Sequence, residues 1–199
     1  MKLVSVVLMA GFSRRMGKLK QHVSLCGRTF LEHIIYKLSS CDEDISKKIF
    51  VGQLSDELGK KKAEECGGFF IVNPNPEDGP LSSIRLAVKN LDKDSAIMLW
   101  PTDHPMISED TVAHIIKAWK KEPDKITVPS DGEHRGHPSI FPAWCFELFY
   151  SISLDKGAKA VMTMFPERIN HVIVNDGWIT KNINTPELLT EAENVILSA

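Results

Sequence analysis

The stretch Lys2-Leu3-Val4-Ser5-Val6-Val7-Leu8-Met9-Ala10-Gly11-Phe12-Ser13-Arg14-Arg15-Met16-Gly17-Lys18-Leu19-Lys20 decides the fold class of this chain. Lys2 to Met9 is β-branched and almost wholly apolar, the pattern of a strand buried on both faces of a parallel sheet. The loop that follows, Ala10 to Gln21, is rich in glycine and positive charge. It leaves the carboxyl end of the first strand, the edge at which open α/β sheets bind ligands. Gly11 and Gly17 let the backbone approach a ligand closely or take a positive φ. Arg15 offers a planar fork of donors and Lys20 a point charge, and both suit phosphate oxygens. The loop is neither a P-loop, G-x-x-x-x-G-K-[ST], nor the dinucleotide fingerprint G-x-G-x-x-G.

Outward from that loop, apolar spacing predicts helices at Thr29 to Ser39, Leu54 to Cys66, Leu81 to Leu91 and Glu109 to Lys121, the last capped by Ser108. Between them lie apolar runs of strand length at Ile49 to Val51, Phe69 to Val72 and Ala96 to Trp100. Strand and helix alternate, which predicts an α/β fold with a mostly parallel, mixed sheet and helices on both faces. The later part is less regular, with strands expected at Ile126 to Val128, Pro138 to Phe141 and Ile169 to Val174. Helices are expected at Ala143 to Tyr150 and Lys156 to Phe165. A final helix starts with Thr185 as cap, Pro186 at the first helical position and Glu187 in the first turn. No repeat or linker interrupts the sequence, so one domain over residues 1–199 is expected.

The chain has 199 residues, 43% apolar and 25% charged, with a net charge of −2. A domain of that size buries roughly 70% of its unfolded surface and needs no staples. The charge balance draws it to neither nucleic acid nor an anionic membrane, so a polyanion site must be a local cluster of Lys and Arg. Cys26, Cys41, Cys66 and Cys145 are scattered, with no metal-binding spacing. That usage fits a reducing, cytoplasmic compartment. The apolar start is too short to span a membrane.

Four further constellations carry chemistry. In Trp100-Pro101-Thr102-Asp103-His104-Pro105, Asp103 sits just past an apolar strand, at the same sheet edge as the first loop. A hard Mg²⁺ ion takes one or two carboxylates plus substrate phosphates, although an aspartate in a turn before a helix is also common. His104 receives no role from the sequence. Asn182-Ile183-Asn184-Thr185-Pro186-Glu187 combines amide oxygens with a capping turn. Arg135-Gly136-His137-Pro138 precedes a strand, and a lone histidine there is more often structural than functional. Asn73 to Arg85 includes Gly79-Pro80-Leu81-Ser82-Ser83 at a helix start, where backbone N–H groups can bind an anion or read a base edge.

The pattern L-x-A-G-x-S-x-R-M-G-x-x-K of the first loop resembles the signature of the molybdenum cofactor nucleotidyltransferases. These are compact members of the glycosyltransferase-A-like nucleotidyltransferase superfamily, and the resemblance runs over nearly the whole chain. It implies that Leu8, Met9, Ala10, Gly11, Ser13, Arg15 and Lys20 wrap a nucleoside triphosphate, with Asn73, Gly79, Pro80 and Ser82 on its other side. It implies catalytic roles for Arg15, Lys20 and Asp103, and a Mg²⁺ ion on Asp103 and Asn184. Here Asn182 and Asn184 stand where the family carries D-x-D or N-x-N, and Leu188 replaces its last acid, so Asp103 dominates the metal site. Met9 stands where small residues are usual. Gly136-His137-Pro138 and Ser82-Ser83 resemble the cytidylyl branch, whereas Gly79-Pro80-Leu81 resembles the guanylyl branch.

The expected activity is transfer of an NMP unit, CMP before GMP, to the phosphate of molybdopterin, releasing pyrophosphate. Gly136 and His137 are the expected acceptor contacts. A transient contact with a molybdoenzyme or its chaperone belongs to the same implication. The alternatives are a sugar-1-phosphate or other small-phosphate nucleotidyltransferase, and a non-catalytic nucleotide-binding module.

Overall fold

A computed structural model of the chain describes residues 1–12 and 18–198. The elements in order are β1 (Lys2–Leu8), β2 (Ser24–Leu25), β3 (Arg28–Thr29), α1 (Phe30–Ser39), β4 (Ile45–Gly52), α2 (Glu57–Glu65), β5 (Phe69–Val72), α3 (Pro80–Val88) and β6 (Ser95–Pro101). Then come α4 (Glu109–Lys121), β7 (Ile126–Ser130), β8 (Ser139–Pro142), α5 (Trp144–Ser151), α6 (Lys159–Met164), β9 (Ile169–Ile173) and α7 (Pro186–Leu197).

Seven strands form one sheet in the order β5-β4-β1-β6-β8-β7-β9. β8 runs antiparallel to both its neighbours, and the other pairings are parallel. The sheet is therefore mostly parallel but mixed, with helices on both faces, as the alternation predicts. β1 carries Val4 and Val6 on one face, packed with Leu81 and Ile84 of α3 and Phe146 and Phe149 of α5. Its Leu3 and Val7 face the other way, toward Leu31 and Ile34 of α1 and Val112 and Ile116 of α4. Period-2 alternation with both faces covered explains why β1 reads as an unbroken apolar run.

Helix ends follow the expected chemistry. Ser108 accepts from Thr111 N, with Glu109 and Asp110 in the first turn of α4 and Lys120 and Lys121 in its last, which suits the helix dipole. Thr185 accepts from Leu188 N ahead of Pro186. At α1, Thr29 Oγ1 accepts from Glu32 N at 3.2 Å while the Glu32 carboxylate accepts from Thr29 N at 2.8 Å, a reciprocal capping box.

Helices α2, α3 and α6 are up to three residues shorter at an end than the expected spans, and two strand features also depart from the sequence expectation. β4 begins at Ile45, four residues before the apolar run, because it pairs with β1 from Leu3 onward, while β5 covers only Ile49–Gly52 of its other edge. Lys47 and Lys48 extend the strand where that edge is open; the Lys47 ammonium lies 4.4 Å from the Phe69 ring centroid, and Lys48 pairs with Asp42 at 2.5 Å. The β2–β3 hairpin is too short to leave a periodic signal.

The Thr29 backbone N–H and the Lys62 ammonium hold the Glu32 carboxyl down at about 2, below its ordinary 4.5. A depressed carboxyl contributes stability above its unfolded pKa and loses it as pH falls through the folded one. Glu32→Gln should therefore unfold at lower urea than wild type at pH 7, and the gap should close as pH falls from 4.5 to about 2. A gap that persists at pH 2 would show that charge has no part in the box. Thr29→Ala should cost about 1 kcal/mol in the same assay.

Candidate active site

Parallel pairing of β1 with β6 sets Leu8 beside Pro101. The chain order turns outward from this pair in opposite directions, to β4 and β5 on one side and to β8, β7 and β9 on the other. Such a reversal opens a crevice at the carboxyl ends of the strands. A cavity of about 580 Å³ lies there, lined by Leu8, Ala10 and Gly11 after β1, Pro101 to His104 after β6, Gly79, Pro80 and Ser83 at the start of α3, and Lys20, His137, Asn182 and Asn184.

The Asp103 segment is held on several sides. Thr102 N and Thr102 Oγ1 both donate to Leu8 O, each at 3.1 Å. Trp100 Nε1, wholly buried, donates to His104 O at 3.0 Å. Ile183 N donates to Asp103 O at 2.8 Å, which brings Asn184 alongside. Lys37 Nζ donates to Pro105 O from below; burial lowers that ammonium to about 8, with Glu109 and Asp176 pulling the other way.

Lys20 Nζ donates to Asp103 Oδ2 at 2.9 Å and also to Asn184 Oδ1. Both side chains of the ion pair are 19% exposed. One carboxylate oxygen and one amide oxygen from separate segments thus converge on a single cationic group. That oxygen set fits a hard divalent cation, which takes few protein ligands and completes its shell with phosphate and water. Among the described residues, no three His, Cys, Asp or Glu side chains gather to hold a metal, so substrate oxygens would have to supply much of the shell.

His104 and His137 face each other with ring centroids 4.8 Å apart. Burial drives the His137 imidazole down to about 3, with His104 adding to the effect and Asp103 opposing it. Burial also lowers His104, against the pull of Asp103 and a backbone contact with Trp178. Among the described residues, Nδ1 of each ring is buried without a hydrogen-bond partner. His104 was not assigned from sequence, although Asp-His-Pro just past a strand end was the available signal.

A second cavity of about 650 Å³ shares Leu8, Pro80, Pro101 and His137 with the first. Ile84, Leu99, Phe141 and Met162 give it apolar walls, and Arg135 and Lys159 stand among its lining residues. Gly136 lines this second cavity.

Other expected site residues are placed differently. The Met9 side chain is in the core, 1% exposed. Asn73 is 3% exposed, and its Nδ2 donates to Ser82 Oγ at 2.8 Å and Ser83 Oγ at 2.9 Å. Ser82 Oγ also donates to Gly79 O at 2.7 Å, so Asn73 and Ser82 brace the turn whose Gly79 has φ of 81°. Ser13 and Arg15, together with Gly17, lie outside the described residues.

A family model described as "MobA-like NTP transferase domain" matches residues 5–172. Curated relatives from Photobacterium profundum and Vibrio atlanticus, both named molybdenum cofactor guanylyltransferase, are 32% and 31% identical over 198 and 195 residues. Each match covers 94% of this chain and 93% of the relative. The crystal structure of Rv0371c from Mycobacterium tuberculosis H37Rv in complex with manganese is 19% identical, with a TM-score of 0.78 over 98% of this chain and 99% of that one. The fold is thus the glycosyltransferase-A-like one expected from the sequence.

A Cβ on Gly136 would lie 2.5 Å from Ile179 Cβ and 2.6 Å from Ile179 O, and that oxygen accepts from His137 N at 2.9 Å. Gly136→Ala should therefore displace the His137 segment and cost about 1–3 kcal/mol, or several degrees of melting temperature. A melting temperature equal to wild type would show that the segment yields freely.

Proposed function

The chain belongs to the MobA-like NTP transferase family, and from that premise we propose that it transfers GMP from GTP to the phosphate of molybdopterin, releasing pyrophosphate. The single observation that carries the reading is the convergence of Lys20, Asp103 and Asn184 at the mouth of the β1/β6 crevice. The choice of base departs from the sequence expectation of CMP. The guanylyltransferase name of the relatives supports it, and the Ser82 hydroxyl, which accepts from Asn73 and donates to Gly79 O, is engaged within the turn.

In this reading the nucleotide lies across Leu8, Ala10 and Gly11, with its base toward Gly79 and Pro80. Molybdopterin occupies the second cavity, where apolar walls suit a fused ring and Arg135 and Lys159 suit its charge. Its phosphate reaches the first cavity past His137. The acceptor is already an anion near neutral pH, so the reaction requires no strong base, and in-line attack at the α-phosphorus rests on positioning and charge neutralisation. Asp103 and Asn184 would hold a divalent cation, with Mg²⁺ as the proposed species, and it supplies neutralisation of phosphate charge when bound. Lys20, beside them, stabilises the departing pyrophosphate, with Arg15 proposed for the same task. The neutral His104 and His137 rings line the crossing between the cavities without adding charge. No helix among the described residues is long and apolar enough to cross a membrane; both substrates are taken as small molecules met in the cytoplasm.

Purified protein with Mg²⁺ should release pyrophosphate only when both a nucleotide and molybdopterin are present, faster with GTP than with CTP, and chelation should stop it. Preference for CTP would restore the cytidylyl assignment, and release with neither base would remove the reading. Asp103→Ala should abolish turnover while GTP binding partly survives; wild-type turnover would exclude Asp103 from the mechanism. Lys20→Ala should lose about 2–4 kcal/mol of transition-state stabilisation, by analogy with a removed oxyanion donor.

A further inference from the structure

We propose that Asp56 is a positioning residue, whose buried carboxylate clamps the turn after the first loop and so sets where the Lys20 ammonium stands. This rests on the phosphate-binding role given to Lys20 above. Asp56 itself lies outside both cavities and is 2% exposed.

Asp56 caps α2, with Oδ1 accepting from Gly59 N at 2.9 Å. A cap needs one oxygen, and serine, threonine or asparagine supplies it as well. A buried carboxylate is costly unless its remaining lone pairs are also satisfied. Here they are met by consecutive residues. Gln21 Nε2 donates to Asp56 Oδ2 at 2.5 Å, and His22 Nε2 lies 2.6 Å from Asp56 Oδ1. Gln21 is itself 1% exposed, so its amide has been taken out of water to make this bond.

Gln21 and His22 directly follow Lys20 in one 3₁₀ turn, Lys20–His22. The turn's own bonds, His22 N to Leu19 O at 3.0 Å and Val23 N to Lys20 O at 2.9 Å, fix its shape. They do not fix its place against the sheet. Asp56 does so on one side, and on the other Val23 is buried with Leu25, Phe30 and Ile183. The packing around the carboxylate is close. A Cβ on Gly59 would lie 2.4 Å from Asp56 Oδ2 and 2.5 Å from the Met9 side chain. The start of α2 and the Lys20 turn therefore meet at one carboxylate, with the Met9 side chain packed beside Gly59. A lysine ammonium sits on a long stem with many rotamers, so it reaches oxygens on two separate segments reproducibly only when its backbone is anchored.

The test is a double-mutant cycle. Asp56→Ser keeps a capping hydroxyl but cannot span both Gln21 and His22. It should melt within a few degrees of wild type, yet bind inorganic pyrophosphate in calorimetry, and turn over GTP with acceptor, at least tenfold less well. Adding Asp56→Ser to Lys20→Ala should change neither quantity by more than twofold, because the lysine it positions is gone. Asp56→Asn, which retains an acceptor for Gly59 N and for one neighbour, should recover part of the loss. Wild-type behaviour of folded Asp56→Ser, or losses that multiply in the double variant, would reduce Asp56 to a helix cap. If Asp56→Ser does not fold, Gln21→Met, which keeps the side-chain volume and removes the amide, replaces it in the same cycle. If wild type releases no pyrophosphate from any substrate pair, the transfer reading fails, while the pyrophosphate-binding cycle still decides the clamp.

Discussion

The parallel pairing of β1 with β6 is the constraint from which the site follows. It sets Leu8 against Pro101, so the segments after both strands leave the sheet at the same edge and side by side. Because the strand order reverses between them, the connections lead away to opposite sides and leave a crevice at that edge. The crevice is thus a consequence of connectivity, and the chemistry depends on which side chains the two loops carry into it.

The second constraint is the cost of burying polar groups. Around Asp103 the backbone is tied by Leu8 O, the Trp100 indole, Ile183 N and the Lys37 ammonium. Each tie satisfies a group that would otherwise be buried without a partner. The result is a carboxylate on a segment with little freedom, which is what charge stabilisation without reorganisation requires. The same cost operates at Asp56, where three donors surround one buried carboxylate. The two imidazoles respond in the opposite way. Burial lowers the pKa of both His137 and His104, which disfavours positive charge on the two rings that stand where the cavities meet.

Two neighbouring cavities that share a wall suit a two-substrate reaction. The first is bounded by the β1 loop and the start of α3, the second by β8, α6 and the Arg135 segment. The antiparallel β8 separates the two halves of the sheet and brings Gly136 and His137 up to the crevice from the side. That mixed strand divides a nucleotide half from an acceptor half in the proposed reaction.

The sequence by itself determined the alternating fold, the helix caps at Ser108 and Thr185, and the edge at which Lys20 and Asp103 stand. Those properties are local: an apolar run of strand length, a capping residue and a strand end are written in neighbouring residues. Only the tertiary structure decided which polar side chains line the crevice and which are engaged elsewhere. Asn73 and Ser82 carry the composition of a binding loop but spend their polar atoms on each other and on Gly79. Met9 turns into the core, and His104 meets His137 from a distant segment of the chain. Asp56 reads as an ordinary cap until Gln21 and His22 are found against it. The direction of a side chain depends on what packs beside it from distant segments, and no local pattern encodes that.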